Sequence, residues 1–587
     1  MSKAGIFLRV LIVVLAAGFG IFLVIYANGY LAVSKSVLNV DKALIEVDLD
    51  SQGVAHIQEH EFYTFKKAYH GLAPYMMLPK GVRLENFKVS VEGAKILKKT
   101  GRVTPQGFDL KIYLNKGYNV PKPGGDKVVM NLSYDVYNAF QNGKDFSQFF
   151  HKFWGDNTPS WVHNLTVVYK FDPKFDVKNI FVHPMDVPHV ISHSGNEYAI
   201  TYVNLPPNAY AEARFIFPKT KTLYASTLDK SYSDILKIEN SYVSRAKMIW
   251  ITWMILLALA AVIPFASFYF FGREPQVELH SEYERDTPYD DPPAVVNSIV
   301  KRIVSDPDGD AFAATILSLV EKGYLEFAGK SAFKISKGKK PLDESENLLL
   351  KLVIKPYAIE GIFDPESLRD SMKGNVSFSK EFLSAYNNWK NQISLEVEGR
   401  NYIVTYGNTL AKLLAVGVLI VIPLAFLAYV VSTKAYPMIA QYSAWFAFVD
   451  WTVAWIMLVL PKDIFGKWTK NGREYYLRWK NFEKYLTDYS LIKEKPPESV
   501  VLWDKYLIYG TALGVAKKVT RAIKEIDPKI VESSPLYPAW IDMYWYSSIY
   551  RLPMYATTNS VQSNNGSSGG FGGGVGGGFG GGGRGGF

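Results

Sequence analysis

The sequence predicts a multi-domain membrane protein with an exported all-β sandwich-like domain, about four transmembrane α-helices, and cytoplasmic winged-helix-like α+β and helical regions. Three observations carry this class. Four apolar stretches are long enough to cross a bilayer, short alternating runs fill the region between the first two, and helical periodicity returns between the second and third and again after the fourth. At 587 residues, 48% apolar and 15% aromatic, the chain is long enough for several domains and rich in Tyr and Phe for a purely soluble protein.

The first apolar stretch, residues 10–27, sits behind Lys3 and Arg9. Residues 1–29 therefore read either as an uncleaved transmembrane anchor or as a secretory signal peptide cut near Ala27-Asn28-Gly29. Residues 249–271, 413–432 and 438–460 are the other spans, and each must be helical because hydrocarbon offers no water to satisfy the backbone. Residues 30–247 are then exported and residues 272–410 and 462–560 cytoplasmic. The expectation is a multi-pass protein of the cell membrane with its β domain extracytoplasmic and its C-terminus cytoplasmic. Lys462, Lys467, Lys470, Arg473, Arg478 and Lys480 follow the last span, against Lys434 alone in the turn 433–437, which supports this orientation. Arg245 and Lys247, on the outer side of the second span, oppose it.

The absence of cysteine excludes disulfides, thiolate nucleophiles and Cys-ligated metals, so the exported domain must rely on its apolar core. The formal net charge of +10 fits juxtamembrane basic residues near anionic lipid. These basic residues are dispersed among acids, which argues against a nucleic-acid partner.

From about residue 34 to 220, alternating runs such as 87–91, 108–113, 128–134, 165–169, 199–202 and 211–217 are separated by Gly, Pro, Asn and Asp, the spacing of an antiparallel sandwich. Within this region His56-x-x-Glu59-His60 spells the pattern of a zinc peptidase, which works only on a helix. Here 43–50 alternates, Ser51-Gln52-Gly53 supplies a turn and 54–65 is β-rich, so a hairpin is expected. On a strand the two imidazoles lie about 13 Å apart, too far for one zinc ion. Eight of the nine histidines, at 56, 60, 70, 151, 163, 183, 189 and 193, lie in the exported region. The Pro-interrupted segment 183–193 could fold His183, His189 and His193 together, which keeps an exported metal-dependent hydrolase open.

Between the second and third spans the order is helix 292–301, helix 310–321 ended by Gly323, strands 324–327 and 332–335, and helix 344–354, resembling a winged-helix module. Asp306-Pro-Asp-Gly-Asp310 suggests calcium, but it lacks the closing Glu of a calcium loop, and Asp308 or Asp310 suits a helix N-cap. After the fourth span, Tyr475, Trp479, Phe482, Leu486 and Tyr489 recur at helical spacing as an interfacial or packing face. Residues 500–521 read as a helix pair or one helix loosened at Gly510. Residues 561–587 are glycine-rich and expected to be disordered. Their match to a dinucleotide fingerprint is trivial, because no strand precedes them and no helix follows.

Several of these stretches resemble the predicted bacterial and archaeal membrane proteins grouped as domain of unknown function 2207. They are 47–59, Tyr134-Asp-Val-Tyr-Asn-Ala-Phe140 leading to Phe153-Trp-Gly-Asp156, 317–325, 503–517 and the Gly/Phe segment at the end. The resemblance implies an exported β domain, membrane helices and a cytoplasmic region, and brings no activity or catalytic residues.

The expected function is a non-enzymatic binding, scaffold or signal-relay protein, with an exported metal-dependent hydrolase and an oligomeric transporter component as alternatives. No catalytic, cofactor-binding or metal residue is assigned. The expected partners are the lipid bilayer and a protein or second copy, and the sequence does not identify the extracytoplasmic ligand. One intramembrane polar candidate stands out. Asp450, near the centre of the fourth span, costs about 3 kcal/mol on insertion scales and is expected to face other helices or be protonated, unless the span is shifted so that it lies nearer the interface. It is expected to donate its carboxyl O–H to a backbone carbonyl as a packing tie, with a proton or cation site as the alternative.

Overall fold

The computed structural model describes residues 3–115, 125–279, 281–488, 490, 492, 499–526, 528–560, 579–580 and 584–587. They form two compact units, one of residues 13–262, 414–456 and 570–587, the other of residues 1–12, 263–413 and 457–569.

The first unit carries strands β1 (Leu38–Leu49), β2 (Ala55–Phe65), β3 (Gly71–Met77), β4 (Arg83–Glu92), β5 (Ile96–Thr104), β6 (Gly107–Leu114), β7 (Lys127–Tyr137), β8 (Phe140–Asn142), β9 (Phe146–Trp154), β10 (Val162–Phe171), β11 (Asn179–His183), β12 (His189–Ser194), β13 (Glu197–Leu205), β14 (Ala211–Pro218) and β15 (Ala225–Thr227). One sheet runs β12-β13-β10-β1-β2-β7-β4, with β1 and β10 parallel and the other pairs antiparallel. A second runs β11-β14-β9-β8-β15, and β3, β6 and β5 form a third. Period-two patterning turns Val47, Leu165, Val167 and Tyr169 of the first sheet and Phe149, Phe215 and Phe217 of the second into one apolar core. There the rings of Tyr169 and Phe215 lie 4.6 Å apart. The expected hairpin at 43–65 is β1–β2. Its turn is held by Asp50, whose Oδ1 accepts from the amides of Gln52 and Val54 at 2.9 and 2.8 Å, and by Gly53 at φ +85°.

Four helices are long and apolar enough to cross a membrane: Arg9–Tyr26, Tyr232–Gly272, Tyr406–Thr433 and Pro437–Val459. The second starts well before residue 249, so residues 232–247, expected as part of the β domain, are helical. Its regular part, Tyr232–Ser267, runs without a break from beside the β sheets into the apolar stretch.

The second unit is mainly helical. Helix Pro293–Val296 continues as a wider π turn, Asn297–Lys301, and is followed by helix Gly309–Glu321. Asp308 caps the latter by accepting from the Asp310 amide at 3.0 Å. Lys301 Nζ pairs with Asp308 at 2.7 Å and also with Asp310, so these carboxylates already hold a cation of the chain itself. The expected hairpin is β16 (Leu325–Phe327) with β17 (Phe333–Ile335), and β18 (Ile362–Phe363) adds a third strand. β19 (Ile403–Val404) pairs with β20 (Lys467–Trp468). Tyr475, Trp479, Phe482 and Leu486 of helix Lys470–Thr487 enter the same core as Trp389, Trp503 and Trp545, so this amphipathic face packs inward, while Tyr489 lies outside the described residues. The break in 500–521 falls at Gly514, φ +80°, between helices Val500–Ala512 and Ala516–Ile526, and not at Gly510.

Of the glycine-rich segment, residues 561–578 and 581–583 lie outside the described residues. β21 (Phe579–Gly580) and β22 (Arg584–Gly586) belong to the first unit, so the expected disorder of 561–587 is corrected for these residues.

Candidate functional site

Strand alternation on β2 separates two sets of side chains. His56 and His60 point outward, with His56 Nδ1 2.7 Å from Asp135 and His60 Nδ1 2.7 Å from Asn131. The zinc-peptidase spelling is therefore a strand, with its histidines engaged across to β7. The same alternation turns Ile57, Glu59, Glu61, Tyr63 and Phe65 inward, and Glu59 and Glu61 are 3% and 0% exposed.

Two carboxylates buried side by side require a cation or a proton. Arg584, 5% exposed, supplies the cation. Its Nε donates to Glu61 at 2.7 Å, its Nη2 to Glu59 at 2.6 Å and its Nη1 to the Tyr75 carbonyl at 3.2 Å. Tyr134 donates to Glu59 and Tyr63 to Glu61, and the Trp154 ring lies 5.9 Å from the guanidinium. Backbone pairing sets this geometry. β22 runs antiparallel to the edge of β3, with Arg584 opposite Pro74, Gly585 opposite Ala73 and Gly586 opposite Leu72. The Phe587 carbonyl accepts from the Gly71 amide at 3.3 Å, and the Phe587 ring meets Tyr113 edge-on at 5.1 Å. An added strand with a side chain in a pocket is a recurring way for sheets to hold peptides.

The pair carries one proton. Burial, reinforced by the charge of Glu59 and opposed by Arg584, pushes the Glu61 carboxyl up to about 8. Burial also opposes ionisation of Glu59, but Arg584 and the hydrogen bonds from Glu61 and Tyr134 outweigh it and hold Glu59 below its ordinary value. One carboxylic acid, one carboxylate and one guanidinium leave the cluster neutral. Between pH 4.5, the ordinary value, and about 8, the folded unit holds a proton on Glu61 that the unfolded chain has released. Stability therefore falls as pH rises through this window. We expect the thermal midpoint of the detergent-solubilised chain to drop from pH 5 to pH 8 and Glu61→Gln to flatten that drop; an unchanged slope in the variant would contradict the assignment.

Burial pushes His151 down to about 4, so it is a neutral imidazole at pH 7, its Nδ1 3.3 Å from the Tyr169 hydroxyl. His183, His189 and His193 are engaged separately: His183 with Glu239, His189 Nδ1 with the Val187 carbonyl at 2.9 Å, and His193 on the Tyr198 ring. The structure does not bring them together as a ligand set, and among the described residues no group of three His, Asp or Glu is placed to hold a metal.

A second buried cluster joins the sheets to the second long helix. Glu239 of that helix meets His183 Nε2 at 2.8 Å and Arg214 Nε at 2.9 Å, the latter an ion pair. Arg214 Nη1 donates to Gln148 at 2.8 Å, and its guanidinium stacks 4.0 Å from the Phe150 ring centre. Nearby, Asp186 accepts from the Ile439 amide at 2.9 Å and so caps helix Pro437–Val459; burial pushes this carboxyl up to about 6. Lys434, in the turn before that helix, pairs with Asp156 at 3.0 Å, and Tyr436 donates to the Tyr242 carbonyl at 2.8 Å.

Asp450 is fully buried, and neither carboxylate oxygen has a hydrogen-bond partner among the described residues. Its neighbour Trp451 ties two of the long helices together, donating to the Ala16 carbonyl of the first at 2.8 Å.

A β-sheet unit joined to helices long and apolar enough to cross a bilayer is the make-up of a membrane protein. Residues 39–217 match the N-terminal domain and residues 280–523 the C-terminal domain of the predicted membrane protein family DUF2207. The chain belongs to that family. No match was found among curated proteins. Similar solved structures include a two-domain M1 zinc metallopeptidase mutant bound to L-tryptophan, 11% identical over 31% of this chain and 43% of that one, TM-score 0.21. They also include the M1 zinc metallopeptidase from Deinococcus radiodurans, 11% identical over 31% and 42%, TM-score 0.21. This chain thus spans less than half of each, and at that similarity neither carries an argument about fold or chemistry.

Proposed function

We propose that this chain is a non-enzymatic binding and relay protein of the cell membrane. The β unit binds a partner outside the cytoplasm, and the helical unit, with its winged-helix-like order, scaffolds or relays inside. One observation carries the reading. Helix Tyr232–Ser267 is unbroken from Glu239, locked to His183 and Arg214 of the β sheets, to Trp253, fully buried among apolar side chains of the other long helices. A force or tilt applied to the sheets is therefore passed to the membrane helices through a rigid element instead of being absorbed in a loop. The cap of Asp186 on Ile439 gives a second attachment.

The test is crosslinking in native membranes from a photoreactive residue at Leu223, which is 72% exposed on the β unit. We expect a discrete protein adduct that disappears when residues 34–220 are deleted while the long helices remain inserted. Absence of an adduct, or its survival after the deletion, would overturn the reading.

Asp450 supports a second reading, a proton or cation site within an oligomeric transporter, because its buried carboxylate receives no hydrogen bond among the described residues. Asp450→Leu is then expected to stabilise the bundle by about 1–3 kcal/mol, since it removes an unsatisfied polar group without breaking a bond. Thermal unfolding in detergent measures this. Destabilisation would restore the packing tie and count against the transporter reading.

A further inference from the structure

We infer that the Glu59–Glu61 pair is a receptor site for an extended, glycine-rich peptide strand bearing an arginine, supplied to the membrane-embedded chain by a partner on the β unit's own side of the bilayer; this rests on the binding function proposed above. Three features of the seat define the ligand.

The pocket discriminates by charge and shape. Different nitrogens of one guanidinium reach different carboxylates, Nε to Glu61 at 2.7 Å and Nη2 to Glu59 at 2.6 Å, and a third donates to the Tyr75 carbonyl. The single ammonium of a lysine cannot span that arrangement. Both carboxylates are fully buried, so the site without its cation leaves charge uncompensated inside the fold.

The ligand is a strand and not a free amino acid. β22 adds three residues to the edge of β3, and Phe587 extends the ladder to Gly71 and packs on Tyr113.

The third feature is the source. In the structure the seat is filled by the chain's own residues 584–587. The turn between the third and fourth long helices and the start of the fourth contact the β strands' connections through Lys434–Asp156 and the Ile439 amide on Asp186, so in a bilayer that turn shares the sheets' side. The fourth helix then leads the chain away to the opposite face. Residues 561–578, rich in Gly, Ser and Asn, offer no apolar run to carry them back, and hydrocarbon would leave their backbone unsatisfied. The chain's own segment thus reaches the seat where no bilayer intervenes. In a membrane the seat requires a strand of the same chemistry from the β side.

The probe is the N-terminally fluorescent peptide Gly-Gly-Gly-Gly-Arg-Gly-Gly-Phe, the sequence of residues 580–587. It is added to the full-length protein in liposomes with the β unit facing outward, and binding is read by anisotropy. We expect saturable binding, weakened about thirtyfold or more when the peptide arginine becomes alanine or lysine, the loss that follows from removing one partner of a buried charge pair. The double variant Glu59→Gln, Glu61→Gln is expected to weaken it similarly, and the peptide variants keep the test decisive if that protein misfolds. No saturable binding, or equal binding of the arginine and alanine peptides, overturns the inference. Binding only to a chain ending at residue 578 would show that the chain's own segment holds the seat in membranes, which overturns the partner source. A crosslinked partner recovered from Leu223 without peptide binding overturns this inference alone and leaves the binding function standing.

Discussion

Arg584→Ala is expected to destabilise the β unit of the full-length protein in detergent, where no bilayer separates the segment from its seat, by about 3–5 kcal/mol. The cause is the charge of Glu59 left uncompensated, not the contact area lost. Glu59 is ionised because Arg584 outweighs its burial, and without the guanidinium two carboxyls sit inside an apolar core with only Tyr63 and Tyr134 as donors. Adding Glu59→Gln and Glu61→Gln to Arg584→Ala removes that charge and should recover most of the loss. Denaturant unfolding followed by hydrogen exchange of β2 measures both. A loss below about 1 kcal/mol, the range of an exposed ion pair, would contradict the buried-pair account.

Glu239→Ala is expected to have an effect of similar size where the second long helix meets the sheets. His183 and Arg214 converge on this carboxylate, and its removal leaves the Arg214 guanidinium buried with Gln148, the Phe150 face and the more distant charge of Glu212. The expected cost is about 3–5 kcal/mol in β-unit stability, with membrane insertion unchanged because the apolar stretch is untouched. Glu239→Gln keeps a hydrogen-bond acceptor for His183 but not the charge facing Arg214, and should fall between. If both variants unfold like the parent, the junction is not the rigid joint that the relay requires.

The β domain was legible because it is built from local alternation. On β2 the period of two placed His56 and His60 on one face and identified a strand where the letters spelled a peptidase helix. The same period puts Glu59 and Glu61 among Ile57, Tyr63 and Phe65, a signal that was present but overshadowed by the histidines: two acids on the apolar face of a strand demand a cation. Where that cation comes from was not legible. Arg584 is more than five hundred residues away in the chain, in a glycine-rich run without periodicity, and its pairing with β3 uses backbone groups that leave no sequence pattern. The helix break at Gly514 was displaced to Gly510 because both glycines interrupt the same apolar pattern; only Gly514 adopts positive φ, while Gly510 stays helical and packs close to Val519. The early start of the second long helix was missed because residues 232–247 are polar enough to resemble the domain they join. That neither oxygen of Asp450 receives a hydrogen bond among the described residues depends on which helices surround it, and hydropathy says nothing of that.

A relay across a membrane requires the two units to lie on opposite sides of it. Because the chain has no cysteine, a single introduced one reports its own location. The most direct measurement is labelling of Leu223→Cys on the β unit and Ile359→Cys on the helical unit, positions 72% and 67% exposed, with a membrane-impermeant maleimide in intact cells and after lysis. The account predicts that Leu223→Cys is labelled in intact cells and Ile359→Cys only after lysis. Labelling of both in intact cells, or of neither until lysis, would place the two units on one side and contradict it.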